Sequence, residues 1–258
     1  MKKYLLILLS FFWSGGLFAQ LSDPFFNDVP LEKQLEIGGK IREYWDDGLY
    51  MAAGSLLEPY FNENKLTNAG VHIMMSLYSM SEYDAKVISI FERWKSSNVI
   101  EDEIIMDKHT ANIYERYGWA LHRQKKYFDA IVAYEKSLTY KSSDDDMASK
   151  YRSIASCYLD MEMNHNADHY VDKSLNYFLS YYNVSLKDIA EGRVKLVDAK
   201  GLVASLCIKG VLQYRIGNEK VGQYYHALAA AMGDEDAEKI LKIQGVNYKK
   251  YLKRIKNK

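Results

Sequence analysis

Proline is scarce in this chain, with three residues in 258 against 22 tyrosines. Because proline breaks helix interiors, its scarcity leaves long uninterrupted helices open. Strand signals are equally thin: no segment sustains a Val/Ile/Thr alternation bounded by turn residues. Cysteine is limited to Cys157 and Cys207, too few for a disulfide framework. Both lie in apolar helical patterns and read as buried free thiols rather than a bridge. The motifs GxSxG, GxxxxGK(S/T), GxGxxG and HExxH are all missing. Their absence lowers the expectation of acyl-transfer, nucleotide or zinc-hydrolase chemistry, and the chain is read as non-catalytic, with no cofactor. Past residue 19 no apolar run is long enough to cross a bilayer.

Residues 1–19 form a separate unit. Lys2 and Lys3 precede the apolar YLLILLSFFW (4–13), Ser14-Gly15-Gly16 interrupts it, and LFA ends at Ala19 before Gln20. This is the pattern of a secretory signal peptide, since 4–18 is shorter than the roughly 20 residues a spanning helix needs. Export to the periplasm or cell envelope is expected, with secretion as the other destination. Losing Lys2 and Lys3 takes the 34 basic residues to 32 against 34 acidic, a net charge of −2. A near-neutral chain is not a general nucleic-acid binder.

Small residues recur at fixed offsets. Gly118 is followed by Ala130 and Ser137; Ala155 by Ala167 and Ser174; Gly210 by Gly222 and Ala229; and Ile41, Ala53, Tyr60 make a weaker copy. The copies define four 34-residue units, 34–67, 111–144, 148–181 and 203–236, and repetition at this period marks a stacked array. Each unit reads as two helices. In 111–144, Tyr114, Tyr117, Gly118 and Leu121 share one face, and after a turn at 124–126 Tyr127, Ala130, Ile131, Tyr134 and Leu138 share another. Gly118 and Ala130 are therefore expected where the helices of a pair cross, and Ser137 where the next pair packs. Tyr114, Tyr117-Gly118, Leu121, Tyr127, Ala130, Tyr134 and Ser137, with Tyr151, Ile154-Ala155, Tyr158, Ala167, Val171 and Ser174, resemble tetratricopeptide repeats. The last unit, KGVLQYRIGN to HALAAAMGDEDA, is similar to the Sel1-like variant. The family's usual proline after the second helix is absent. The resemblance covers 136 residues, a little over half the chain, and implies an all-α solenoid of helix-turn-helix repeats wound in a right-handed superhelix.

Elsewhere 71–80 and 82–94 form a helix pair that breaks the offsets. Asn98 with Glu101 is read as a capping box opening a helix toward Gln124, and Ser185 with Asp188 as one opening a helix through Lys200. No linker is evident, so 20–258 is read as one solenoid.

Few constellations suggest chemistry. His165 and His169, with Asp168 beside them, present two imidazoles on one helix face, but a zinc site needs a third ligand and none is apparent. They read as polar residues opening a helix, and no metal is expected. Asp144-Asp145-Asp146 lacks the spacing of a calcium loop and reads as a solvated helix start. Residues 239–258 carry eight Lys and Arg and no acid, with Tyr248, Tyr251, Leu252 and Ile255 interleaved. A basic C-terminal helix follows, read first as a polar cap and second as a contact for anionic lipid or an acidic partner. Residues 21–50 are acidic.

In the resembled family, ligands dock on the concave face lined by the first helix of each pair. Carried over, that face is Arg42, Trp45 and Asp46; Asn112, Glu115, Trp119, His122 and Arg123; Ser149, Arg152, Ser156, Leu159 and Asp160; and Val211, Tyr214 and Arg215. The anchors expected to matter most are Arg42, Trp45, Trp119, His122, Arg123, Arg152, Tyr214 and Arg215, because Trp, Tyr and Arg dominate interface energetics. Glu115 and Ser156 depart from the pattern by which some members clamp a C-terminal carboxylate. The expected function is an exported scaffold gripping a peptide or helix of another protein. The alternatives are a subunit of an envelope complex acting through the basic tail and, further off, an envelope hydrolase or carbohydrate binder.

Overall fold

The computed structural model describes residues 24–98, 107–140 and 142–256. The leader expected over 1–19 and Glu101 of the expected capping box lie outside the described residues. Regular structure among the described residues is helical, and the single β pairing is an isolated antiparallel bridge between Phe26 and Leu66. The chain divides into two compact units, Met1–Ile105 and Met106–Lys258.

The first unit holds α1 (Leu31–Asp46), α2 (Tyr50–Ser55), α3 (Glu58–Asn62), α4 (Asn68–Met80) and α5 (Asp84–Asn98). Its core gathers Ile41, Ala53, Leu57, Met74, Met75, Leu77 and Val87, all fully buried. The second helix expected for 34–67 is broken in two: α2 stops at Leu56, and α3 restarts with Pro59 in its first turn. Proline lacks the N–H that a helix interior requires but is tolerated at a helix start. Asn98 ends α5 rather than opening a helix, which corrects the first capping expectation.

In the second unit lie α6 (Lys108–Arg123), α7 (Tyr127–Leu138), α8 (Asp144–Asp160), α9 (Asn164–Tyr182), α10 (Leu186–Ala190), α11 (Lys200–Arg215), α12 (Glu219–Ala231), α13 (Glu235–Ile243) and α14 (Tyr248–Lys256). From α6 to α9 each helix packs on the next; α9 then packs on α11, α11 on α12, and α12 on both α13 and α14. Asp107 caps α6, its carboxylate accepting the Thr110 N–H at 2.7 Å. Ser143 caps α8 and draws Asp144, Asp145 and Asp146 into the first turn, where negative charge suits the helix dipole. The Ser185–Asp188 capping box forms, yet its helix lasts five residues. Gly192 turns left-handed (φ +65°), and helix resumes only at Lys200. Gly245 (φ +72°) likewise divides the expected C-terminal helix into the end of α13 and α14.

The 34-residue frame has a backbone counterpart. The fifteenth residue of each unit, Gly48, Lys125, Glu162 or Gly217, has positive φ. The next residue's N–H donates to the carbonyl of the eleventh: Leu49 to Tyr44 (2.7 Å), Lys126 to Leu121 (2.9 Å), Met163 to Tyr158 (2.9 Å) and Asn218 to Gln213 (2.8 Å). This left-handed closure satisfies carbonyls that the helix end leaves open. The pair α4/α5 closes in the same way at Glu82, with Tyr83 N–H on Tyr78 O at 3.0 Å. Counted from Asn68 it keeps the frame, although Met75, Val87 and Trp94 stand where the other units place small residues.

The small residues mark close crossings. A Cβ on Gly118 would lie 2.8 Å from the Tyr134 ring, and one on Gly210 2.5 Å from the His226 ring. Ala130, Ala155, Ala167 and Ala229 are fully buried. Ser137 ties its own pair together, donating to Ala111 O at 2.7 Å, rather than to the pair that follows. Ser174 repeats this bond to Ala148 O (2.9 Å) and also meets Ser205 of α11 at 2.9 Å.

Candidate functional site

Successive helices α6, α7 and α8 enclose a cleft of about 250 Å³ lined by Trp119, His122, Arg123, Tyr134, Arg152, Ser153 and Ser156. Five of these seven are residues that the resemblance to tetratricopeptide repeats implied for a concave face. Trp119, His122 and Arg123 come from the last turns of α6, while Arg152 and Ser156 are one turn apart on α8 and so share a face. Arg116 stacks over the Trp119 ring at 4.6 Å and holds the indole against its own helix. His122 Nε2 meets Asp160 Oδ2 at 2.9 Å, and its ring rests edge-on against Tyr127.

The floor of the cleft is polar. Tyr134 is fully buried, and its hydroxyl lies against the Ser153 side chain. Burial pushes that hydroxyl's pKa well up, so it stays protonated. Ser153 stands nearby but donates to Ser149 O at 3.1 Å. The Gly118 backbone makes room for the Tyr134 ring, so a packing residue of α6 determines where a polar atom of α7 can stand. Glu115 is buried beside this group, and burial raises its carboxyl pKa despite Arg116, Lys150 and Arg152. Burial lowers the Arg152 pKa, and Glu115 and Asp145 oppose that shift. Lys150, fully buried, is matched by Asp146 at 2.6 Å.

The other expected anchors lie elsewhere. Trp45 packs edge-on against Tyr50 at 5.1 Å, and Arg42 reaches Asp46 at 3.8 Å, both within the first unit. In the second unit the Tyr214 ring lies on His226 and its hydroxyl meets Gln244 at 2.9 Å. Arg215 donates to Leu159 O at 2.8 Å, so it is used to hold α11 to α8. Sequence pattern missed Tyr134 and Ser153 as cleft residues. Tyr134 was visible only as one apolar position of a helical face, and that periodicity cannot reveal where a hydroxyl points.

His165 and His169 are exposed at the start of α9. Asp168, beside them, instead accepts from Lys209 at 2.8 Å and Gln213 at 3.0 Å. Among the described residues no three His, Cys, Asp or Glu gather as metal ligands do. Cys157 and Cys207 are free, and burial pushes both thiols up to about 12. Among the described residues no helix is long and apolar enough to cross a membrane. Compared with known proteins, the chain matches no family model and no curated protein.

Proposed function

We propose that this chain is an exported, non-catalytic interaction scaffold, a solenoid of tetratricopeptide-like repeats that grips a peptide or helix of a partner protein. The observation that carries this reading is the gathering of Trp119, His122, Arg123 and Arg152 from two successive helix pairs around one cleft. Aromatic and arginine side chains in a partly enclosed recess are the usual anchors of protein interfaces. The recurrence of one hairpin turn at the fifteenth place of every unit favours a repeat array over unrelated helix pairs. Binding then needs no chemistry, only a preformed surface with little ordering left to do.

Pull-down from the native cell, using the parent and a Trp119→Ala/Arg123→Ala double variant, tests the reading. The expected result is loss of the captured partner with helicity by circular dichroism unchanged. Full retention of the partner by the folded double variant rejects the cleft as the binding surface. A second reading, an envelope subunit acting through its C-terminus, is favoured by α14. That helix buries Leu252 and turns Lys249, Lys250, Lys253 and Arg254 outward. Reversing those four charges is expected to abolish envelope association on that reading alone.

A further inference from the structure

One end of the second unit brings apolar tips and cations together. The α11–α12 and α13–α14 turns are joined there: the Tyr214 hydroxyl meets Gln244 Oε1 at 2.9 Å, and the Tyr251 hydroxyl donates to Lys220 O at 2.9 Å. Ile243, the last residue of α13, is the most exposed large apolar side chain among the described residues, 86% open to solvent. Ile216 in the first of these turns and Val221 on α12 are exposed as well. Lys220, Lys242, Lys249 and Lys250 on the same elements are exposed, and none is ion-paired among the described residues. Lys239, by contrast, is matched by Asp236 at 2.9 Å. Across 215–222 and 242–254 the one acid is Glu219. The acids of α13 occupy its first turn, at the opposite end of that helix. On the neighbouring α8–α9 turn, Asp160 is held by His122.

Resting on the second reading above, that of an envelope subunit acting through its C-terminus, we infer that this end of the protein lies on an anionic phospholipid surface. Lys220, Lys242, Lys249 and Lys250 meet the headgroup phosphates, and Ile243, with Ile216 and Val221, enters the layer between them. A solvated terminal cap accounts for the lysines but gives no reason for aliphatic side chains standing open among them. Cations without counter-ions beside exposed aliphatics are the composition by which peripheral surfaces hold anionic bilayers. The three aliphatics come from three separate elements. A fluid headgroup layer receives such scattered tips without a matching pocket, which a folded acidic partner would have to supply.

The test is flotation of the purified protein with vesicles of phosphatidylcholine alone and of equal parts phosphatidylcholine and phosphatidylglycerol. Binding is expected on the anionic vesicles only, weakening steeply as salt is added. The triple variant Lys242→Glu/Lys249→Glu/Lys250→Glu is expected to bind at least about a hundredfold more weakly, since each basic residue near such a surface is worth about fivefold. Ile243→Ser is expected to weaken binding about fivefold and leave its salt dependence intact, which separates the apolar contact from the charges. Circular dichroism checks that both variants keep their helices. Unchanged binding by Ile243→Ser overturns the insertion. Equal binding to neutral vesicles, or anionic binding retained by the triple variant, overturns the lysine–phosphate contact. Failure to float with either vesicle, while reversal of Lys249, Lys250, Lys253 and Arg254 still abolishes envelope association in the cell, overturns the lipid in favour of an acidic protein and leaves the second reading standing. Failure to float with envelope association also untouched by that reversal overturns both.

Discussion

Two helix pairs in this molecule share a turn and fill their crossings in opposite ways. In α6/α7 the contact is made by Gly118, Ala130 and Ser137; in α4/α5 the same frame positions hold Met75, Val87 and Trp94. Both pairs close through a left-handed residue, Lys125 or Glu82. Both also tie their twenty-seventh position to their first. In α6/α7 Ser137 donates to Ala111 O at 2.7 Å, and in α4/α5 Trp94 Nε1 donates to Asn68 Oδ1 at 3.0 Å. The turn and the tie therefore define the hairpin, and the size of the crossing residues adjusts around them. A tight crossing needs a short donor that reaches backbone; a crossing filled by Met75 and Val87 needs a long one that reaches a side chain.

The comparison breaks most visibly where size is reversed. Met75→Ala empties a fully buried site in the first unit and is expected to cost about 3 kcal/mol in urea unfolding. Gly118→Val drives a branched side chain into the Tyr134 ring and is expected to cost about 2 kcal/mol. It also displaces the cleft floor, so its effect on binding exceeds its effect on stability. A Gly118→Val protein as stable as the parent would mean that the crossing is not set by this glycine.

A charge in the second pair has no equivalent in the first. Burial raises the pKa of the Glu115 carboxyl because a site shielded from water disfavours the ion. Its raised folded pKa means the native state binds the proton more tightly than the unfolded chain does. Stability from this group is thus complete below the unfolded value near 4.3 and is lost as pH rises through the folded one. Glu115→Gln is accordingly expected to stabilise by about 1–2 kcal/mol at pH 8 and by little at pH 4. Urea unfolding at the two pH values checks this, and an equal gain at both would separate the effect from ionisation.

The ties themselves come next in size. Ser137→Ala and Ser174→Ala should each cost about 1 kcal/mol, the net worth of one buried hydrogen bond. Ser174→Ala should be the worse of the two, because it also removes the link to Ser205 on α11, whose hydroxyl is left with Gly201 O alone.

Much of this organisation was legible before any coordinates, because steric closeness writes itself into residue size. Gly118, Gly210, Ala155 and Ala167 could be small for few reasons other than close packing. The α4/α5 pair hid its kinship because its frame lies in backbone conformation and one tryptophan–asparagine bond, neither of which has a size signature. Helix ends were less legible still. Ser185 and Asp188 announce a start, but nothing in a capping box encodes length, and Gly192 decided that. Five of the cleft's seven lining residues are among those that the family resemblance put forward. Tyr134 was not, since a core tyrosine and a tyrosine that also borders a recess have the same spacing.

The smallest expected effects concern the turn. Gly48 and Gly217 adopt positive φ without a Cβ penalty, whereas Lys125 (φ +61°) and Glu162 (φ +60°) adopt it against one. Nothing in the closure itself requires a side chain, because the bonds to Leu121 O and Tyr158 O are made by backbone N–H groups. Lys125→Gly and Glu162→Gly should each stabilise by about 0.5–1 kcal/mol, with Gly217→Lys losing a similar amount. The two gains should add, since the turns belong to different hairpins and share no partner. Thermal unfolding of the single and double variants measures both points. Loss at both sites, instead of gain, would show that the added freedom of glycine in the unfolded chain outweighs left-handed strain. The turns would then be alike in shape while differing in what holds them.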